Sequence, residues 1–318
     1  MDRRPYDPAR HAAAVLDLWQ VSLGDTYPLA DRVFHQHTVG NPHYEAGDGV
    51  LAVEGDEVIG FALAKLERTA RPTPPARGGV AVVLVRPDRQ RQGVGRALVD
   101  AVADRLRAEG AKGMGVGSPA MCRFWPGVPV DLEGAKAFFE AQGFALQRGP
   151  FDLVRDVSDF ELPERCRAGI DREGVDIGPA TEAGVPEVLA FEQREFSGWE
   201  ATFRVMVASG DTDHIIVVRD NGKIIGAVAT FSPRSRFRAV NVVWETLLGA
   251  DCGGYGCVGI AASERKRGLG LAMCAVASQV LRERGARNVH VDWTGLVDFY
   301  GKLGYKVWRE YWMGGKEL

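Results

Sequence analysis

Two hexapeptides decide how this chain is read: Gln90-Arg91-Gln92-Gly93-Val94-Gly95 and Arg265-Lys266-Arg267-Gly268-Leu269-Gly270. Both follow the pattern Gln/Arg-x-x-Gly-x-Gly, and each lies between an apolar run and a long segment of helical periodicity. That chemistry suits a pyrophosphate. Glycines let the backbone come close, while successive N–H groups and a helix N-terminus form an anion-binding concavity. Arg91, Arg96, Lys266 and Arg267 add positive charge beside it. The spacing is one residue short of the dinucleotide fingerprint Gly-x-Gly-x-x-Gly, and no Gly-Lys-Ser/Thr of a P-loop is present.

The surroundings of the two hexapeptides repeat as well. Before the first lie a hairpin pattern at 49–64 (GVLAVEGDEVIGFALA), a Pro- and Arg-rich loop at 68–79 and a β-branched run at 80–85 (VAVVLV). After it come a helix at 94–109, a strand at 112–118 and a helix at 131–142 that stops at Gly143. Ahead of all these the pattern predicts a short strand at 5–7 and helices at 8–23 and 29–39.

The second half predicts a strand at 175–179, a helix at 181–196 and a hairpin at 214–231 turning on Asn221-Gly222. A strand ending near Ile260, a helix at 269–284, a strand at 288–293 and a helix at 296–303 follow. Gly60 and Gly226 are 166 apart, Gly93 and Gly268 175, and Gly143 and Gly304 161. Landmarks in one order at similar offsets imply two copies of one fold. The expectation is an α/β protein with two tandem domains, each a central mixed β-sheet flanked by helices. Residues 1–155 form the first, 156–173 a polar linker and 174–318 the second.

Composition narrows the function. With 318 residues, 46% hydrophobic and 25% charged, the chain has room for two cores, and wholesale disorder is excluded. A net charge of −3 gives no footprint for nucleic acid. Cys122, Cys166, Cys252, Cys257 and Cys274 are odd in number and lack C-x-x-C spacing. A disulfide framework or a metal site is therefore not expected, and a reducing cytoplasm is. The opening Met1 to Asp7 leads into no apolar leader segment, and no uncharged run is long enough to span a bilayer, so a membrane partner is not expected.

The segments VVLVRPDRQRQGVGRALVDAVADRLRAEGA (82–111) and CVGIAASERKRGLGLAMCAVASQVLRERGA (257–286) resemble the strand, pyrophosphate loop and helix of the GNAT superfamily of acyl-CoA-dependent N-acetyltransferases. Phe138-Phe139-Glu140-Ala141-Gln142-Gly143-Phe144 and Phe299-Tyr300-Gly301-Lys302-Leu303-Gly304-Tyr305 are similar to a late element of that family. The resemblance implies acetyl-CoA as cosubstrate, with no metal. Its pantetheine arm would lie along the strands of Val83 and Val85, and of Val258 and Ile260. Its pyrophosphate would lie on residues Gln90 to Arg96 and Arg265 to Gly270. An amine would then attack the thioester directly, a base taking the ammonium proton and an acid protonating the thiolate.

In this family the tyrosine of the late element often serves as that acid. Tyr300 fills the position in the second half, where the first half has Phe139, so the C-terminal domain is expected to catalyse. Glu245, after the strand-like run at 240–244, and Asp292, at a strand end, are the leading candidates for the base; Glu195 and His214 are weaker ones. For the acceptor, Trp125, Trp199 and Trp293 lie in loops or at element ends, where binding residues concentrate. Their faces suit sugar rings or cations, or else plug the interface between the repeats. Phe124-Trp125-Pro126-Gly127-Val128-Pro129 is similar to a segment of amino-sugar-acetylating members. An amino sugar or aminoglycoside is the expected amine. The alternatives are a peptide or protein amine, or an acyl-CoA-binding or sensing protein without turnover. The chain would act as a monomer or homodimer.

Overall fold

The computed structural model describes residues 1–66, 68, 77–117 and 123–318. Most of the loop expected at 68–79, Ser118 at the end of the strand expected at 112–118, and Cys122 lie outside the described residues. Two compact units emerge: Met1–Pro150 with Arg309–Leu318, and Phe151–Trp308.

The N-terminal unit runs β1 (Asp2–Pro5), α1 (Pro8–Leu23), α2 (Asp31–His37), β2 (Gly49–Glu54), β3 (Glu57–Lys65), β4 (Arg77–Val85), α3 (Val94–Ala108), β5 (Gly113–Val116), β6 (Val128–Pro129) and α4 (Ala135–Glu140). β1, β2, β3 and β4 pair antiparallel in that order, and β4 pairs β5 in parallel. Asp7 caps α1 by accepting from the Ala9 N–H at 3.0 Å, with Pro8 at the first helical position. α3 turns Val94, Leu98, Val102 and Leu106 onto the sheet at helical spacing, each buried. Burying each such side chain stabilises by roughly 1.5–3 kcal/mol.

Past Gly143 the chain enters β7 (Ala145–Asp156), whose residues from Phe151 onward belong to the C-terminal unit. That unit continues with α5 (Glu164–Ile170), β8 (Val175–Pro179), α6 (Val185–Glu195), α7 (Glu200–Ala208), β9 (Ile215–Asp220), β10 (Lys223–Phe231), α8 (Glu245–Leu248), β11 (Gly253–Ile260), α9 (Leu269–Glu283), β12 (Asn288–Thr294) and α10 (Val297–Gly301). Its strands pair in the order β8, β9, β10, β11, β12, β7, and only β11 with β12 is parallel. Asn221 and Gly222, both left-handed at φ 49° and 81°, turn the β9–β10 hairpin as the sequence predicts.

The last strand, β13 (Lys306–Glu317), crosses from one unit to the other. Its Tyr311 and Trp312 pair with Pro129 and Val128, and Gly315 to Glu317 pair antiparallel with β5. The unit boundary therefore differs from the sequence expectation. The segment 156–173 is not a spacer, because Val157, Phe160 and Cys166 are buried in the C-terminal core. The run at 240–244 is not a strand: Val240–Val242 is a single 3-10 turn leading into α8. Asp131 to Gly134 stay outside the helix expected at 131–142, and the helix expected at 181–196 begins as a separate 3-10 turn at Glu182–Gly184.

Candidate active site

The same backbone construction occurs once in each unit. The parallel pairing of β4 with β5 ends at Val80 and Val116, while β4 runs on to Val85. The pairing of β11 with β12 ends at Tyr255 and Val291, while β11 runs on to Ile260. Each longer strand thus runs on past the pairing with its parallel neighbour, still paired on its other side with β3 or β10, and leads into the glycine loop. There Arg91 and Gly93 adopt φ 62° and 86°, and Lys266 and Gly268 adopt φ 66° and 83°. Two left-handed residues within three turn successive amides toward one side, as in an anion nest. Gly93 and Gly268 are the N-caps of α3 and α9, and neither helix has a side-chain cap, so its first N–H groups face the same concavity.

Several residues around the loops brace the turn. Gln90 donates to the Val85 carbonyl at 3.3 Å, and Arg265 to the Ile260 carbonyl at 3.2 Å, so both fasten the loop to its strand. Gln92 donates to the Asp88 carbonyl at 3.0 Å. Arg267 pairs with Asp220 at 2.8 Å and with Glu264, which hold it firmly charged. Its charge is thus already countered. Val94 and Leu269 are buried core residues rather than lining. A Cβ at Gly95 would stand 2.9 Å from the end of the Phe138 ring, which would have to shift, whereas one at Gly270 meets ordinary contact distances.

In the N-terminal unit the parted strands open a cleft of about 930 Å³. Val83 and Val85 line its strand side, Arg91, Gly93, Gly95 and Arg96 its loop end, and Trp125, Asp131 and Phe139 also line it. Trp125 stacks on Trp19 at 5.5 Å with the rings nearly parallel. Tyr27, whose hydroxyl donates to Asp131 at 2.6 Å, meets Trp125 edge-on.

In the C-terminal unit Tyr300 is only 5% exposed and packs against Phe299, Tyr255 and Tyr305. Burial raises its phenol above the ordinary range, and the nearby Cys274, Asp292, Tyr305 and Cys257 add to that. Asp292 accepts from the Asn241 amide at 2.6 Å, and the same amide group donates to the Tyr255 carbonyl at 2.9 Å. Behind Asp292, His290 donates from Nδ1 to the Asn241 carbonyl at 3.0 Å and holds Nε2 3.2 Å from Asp152. Burial pushes the imidazole pKa down, but Asp152 and then Asp292 outweigh it, and the net shift is upward. Asp152 also accepts the Trp293 N–H at 3.0 Å, where Trp293 takes φ 44°. Glu245 lies 3.7 Å from Arg238, both side chains buried. Trp293 is 42% exposed, and Trp199, 37% exposed, stacks on Phe196. His214 is fixed between Asp213 and Ser232.

The Acetyltransferase (GNAT) family model matches residues 13–144 and again 185–305, most of the chain. The chain belongs to the GNAT acetyltransferase family. Among solved structures, the GNAT chain is similar over 99% of its length to a GCN5-related glucosamine N-acetyltransferase region of a fungal multi-domain GH3 β-N-acetylglucosaminidase, at 29% identity and TM-score 0.89. It spans 38% of that chain. A GCN5-related N-acetyltransferase from Sphaerobacter thermophilus matches at 19% identity and TM-score 0.70, covering 99% of this chain and 95% of that one. A tandem GNAT protein from the clavulanic acid biosynthesis pathway matches at 15% identity and TM-score 0.65, covering 99% and 98%. No curated protein matches. The family transfers acyl groups and uses acetyl-CoA.

Sequence reasoning missed Asp131, Asn241, His290 and Asp152. Asp131 was assigned to a helix. The other three come together only through β7 and β12 pairing and through the 3-10 turn at Val240–Val242.

Proposed function

We propose that this protein is an acetyl-CoA-dependent N-acetyltransferase of a small polyhydroxylated primary amine, an amino sugar or aminoglycoside, with the transfer step in the C-terminal unit. One observation carries the choice of unit. Phe139 lines the N-terminal cleft, and the matching residue of the repeat is Tyr300, which adds a proton donor near Asp292 and Cys257, where β11 and β12 part. Burial keeps the Tyr300 phenol protonated at neutral pH, as a general acid must be. In this reading Tyr300 gives its proton to the departing thiolate. Asp292, oriented by Asn241, accepts the ammonium proton as the new C–N bond forms and the C–S bond breaks. The glucosamine N-acetyltransferase region of the fungal relative supports an amino-sugar acceptor.

The N-terminal cleft favours a second reading, in which that unit transfers the acetyl group. Its roughly 930 Å³ are of ligand size, and Trp125 and Asp131 offer a ring-stacking face and a carboxylate.

Single-glycine variants separate the two. An Asp at Gly93 or Gly268 meets no protein atom within 4 Å, yet it must hold a left-handed backbone and sets a negative charge in the anion nest. Calorimetry is expected to find two acetyl-CoA molecules bound per wild-type chain and one in each variant. Amine-dependent thiol release is expected to be lost in Gly268→Asp and retained in Gly93→Asp. The opposite pattern of activity would move the transfer step to the N-terminal unit, and unchanged binding in both variants would overturn the loop assignment.

A further inference from the structure

Glu192 is the outlier among the acidic residues of the C-terminal unit. It is fully buried on α6, and neither carboxylate oxygen has a hydrogen-bond partner among the described residues. Burial, with the charge of Glu200 added, lifts its carboxyl to about 8. Natural proteins rarely leave a buried carboxylate unsatisfied, because the ionised form is costly without a cation or donor.

The internal repeat says where this residue stands. Val15-Leu16-Asp17-Leu18-Trp19 in α1 matches Val188-Leu189-Ala190-Phe191-Glu192 in α6. Val15 and Val188, one turn earlier on the same helix face, are both buried. Glu192 is therefore the counterpart of Trp19, whose ring stacks on the cleft residue Trp125. Four residues on, Leu23 lines the N-terminal cleft, and its counterpart Phe196 covers Gly259 near the end of β11, past its pairing with β12. The position behind the cleft residue Trp125 in the N-terminal unit is thus an indole, and its counterpart in the C-terminal unit is a carboxyl whose oxygens have no partner among the described residues. Trp199, stacked on Phe196, supplies an exposed aromatic face beside it.

We propose that Glu192 anchors the positively charged amino group of the acceptor in the C-terminal unit. This rests on reading that unit as the transferring one. The ammonium supplies the missing donors and favours ionisation of the raised carboxyl, Glu200 adds negative potential, and the Phe196–Trp199 pair offers a face for the rest of the acceptor. Glu192 is here a binding and positioning residue: it holds the nitrogen, while deprotonation and thiolate protonation belong to other groups.

The test is the kinetics of Glu192→Gln in the full chain, with glucosamine, kanamycin and spermidine as probe amines and Glu192→Leu as a second variant. Losing a charge-assisted contact is expected to raise the KM of the reactive amine about tenfold or more, with kcat and the KM of acetyl-CoA changed less than about threefold. Both variants should melt at or above the wild-type temperature, since an unpaired buried acid contributes nothing favourable to the fold. If one amine is acetylated and its KM in Glu192→Gln stays within twofold, the inference falls while the transferase reading stands. If no amine is acetylated, the transferase reading falls, and calorimetry with the same amines decides the inference. Binding that Glu192→Gln abolishes sustains the cation site, and binding that is absent or unaffected overturns it.

Discussion

Tyr300→Phe is expected to lower kcat by roughly 10²–10⁴-fold, the span of general acid catalysis, while acetyl-CoA still binds with near wild-type affinity. The phenol is buried among Tyr255, Phe299 and Tyr305, so removing one oxygen leaves the ring packing intact. The N-terminal repeat already carries this substitution. Phe139 sits in the matching place, packed edge-on against Phe138 and Phe144. Loss of activity with an unchanged melting temperature would therefore report chemistry rather than folding. A leaving thiolate without a proton donor must depart as an anion in a site where charge is poorly solvated, which is where the expected rate loss originates. Full activity in Tyr300→Phe would remove the proposed acid and reopen the N-terminal cleft as the place of transfer.

Ending the chain at Trp308 is expected to unfold the N-terminal unit. The ten residues Arg309–Leu318 close its sheet, and Tyr311 is fully buried there. Truncation removes the pairings of Gly315, Lys316 and Glu317 with β5 and those of Tyr311 and Trp312 with β6. It also removes Arg309 from the face of Tyr27, 4.0 Å away, and Trp312 from its packing on the core. Emptying one large aromatic site costs about 3–5 kcal/mol. Several sheet hydrogen bonds add about 1 kcal/mol each. Against a typical domain stability of about 5–15 kcal/mol, the sum leaves little. Hydrogen exchange should find α3 and β2 to β4 unprotected in the truncated chain. Retained protection there would show that the final strand is dispensable.

The parts of this architecture legible in the sequence are those governed by local rules. Asn221-Gly222 turns a hairpin because both residues tolerate φ > 0, and the two glycine loops announce themselves by the same constraint. The buried faces of α3 and α9 repeat at helical spacing. What escaped depends on partners far along the chain. β7 and β13 carry charges and glycines that blur alternation, and their place is set by β12 in one case and by β5 and β6 in the other. The segment 156–173 reads as polar because its three buried side chains, Val157, Phe160 and Cys166, are spaced among charges. Glu192 looks like a solvated helix residue until it is set against Trp19, its counterpart in the first repeat.

The most direct measurement is thiol release from acetyl-CoA by the wild-type chain across glucosamine, aminoglycosides, polyamines, free amino acids and short peptides. Thiol release is expected with amino sugars or aminoglycosides, with the acetylated amine recovered in equal amount. Acetyl-CoA that binds but gives up its acetyl group to none of these amines, with no thiol freed, would contradict the proposed transfer and would mark the chain as an acyl-CoA-binding protein without turnover.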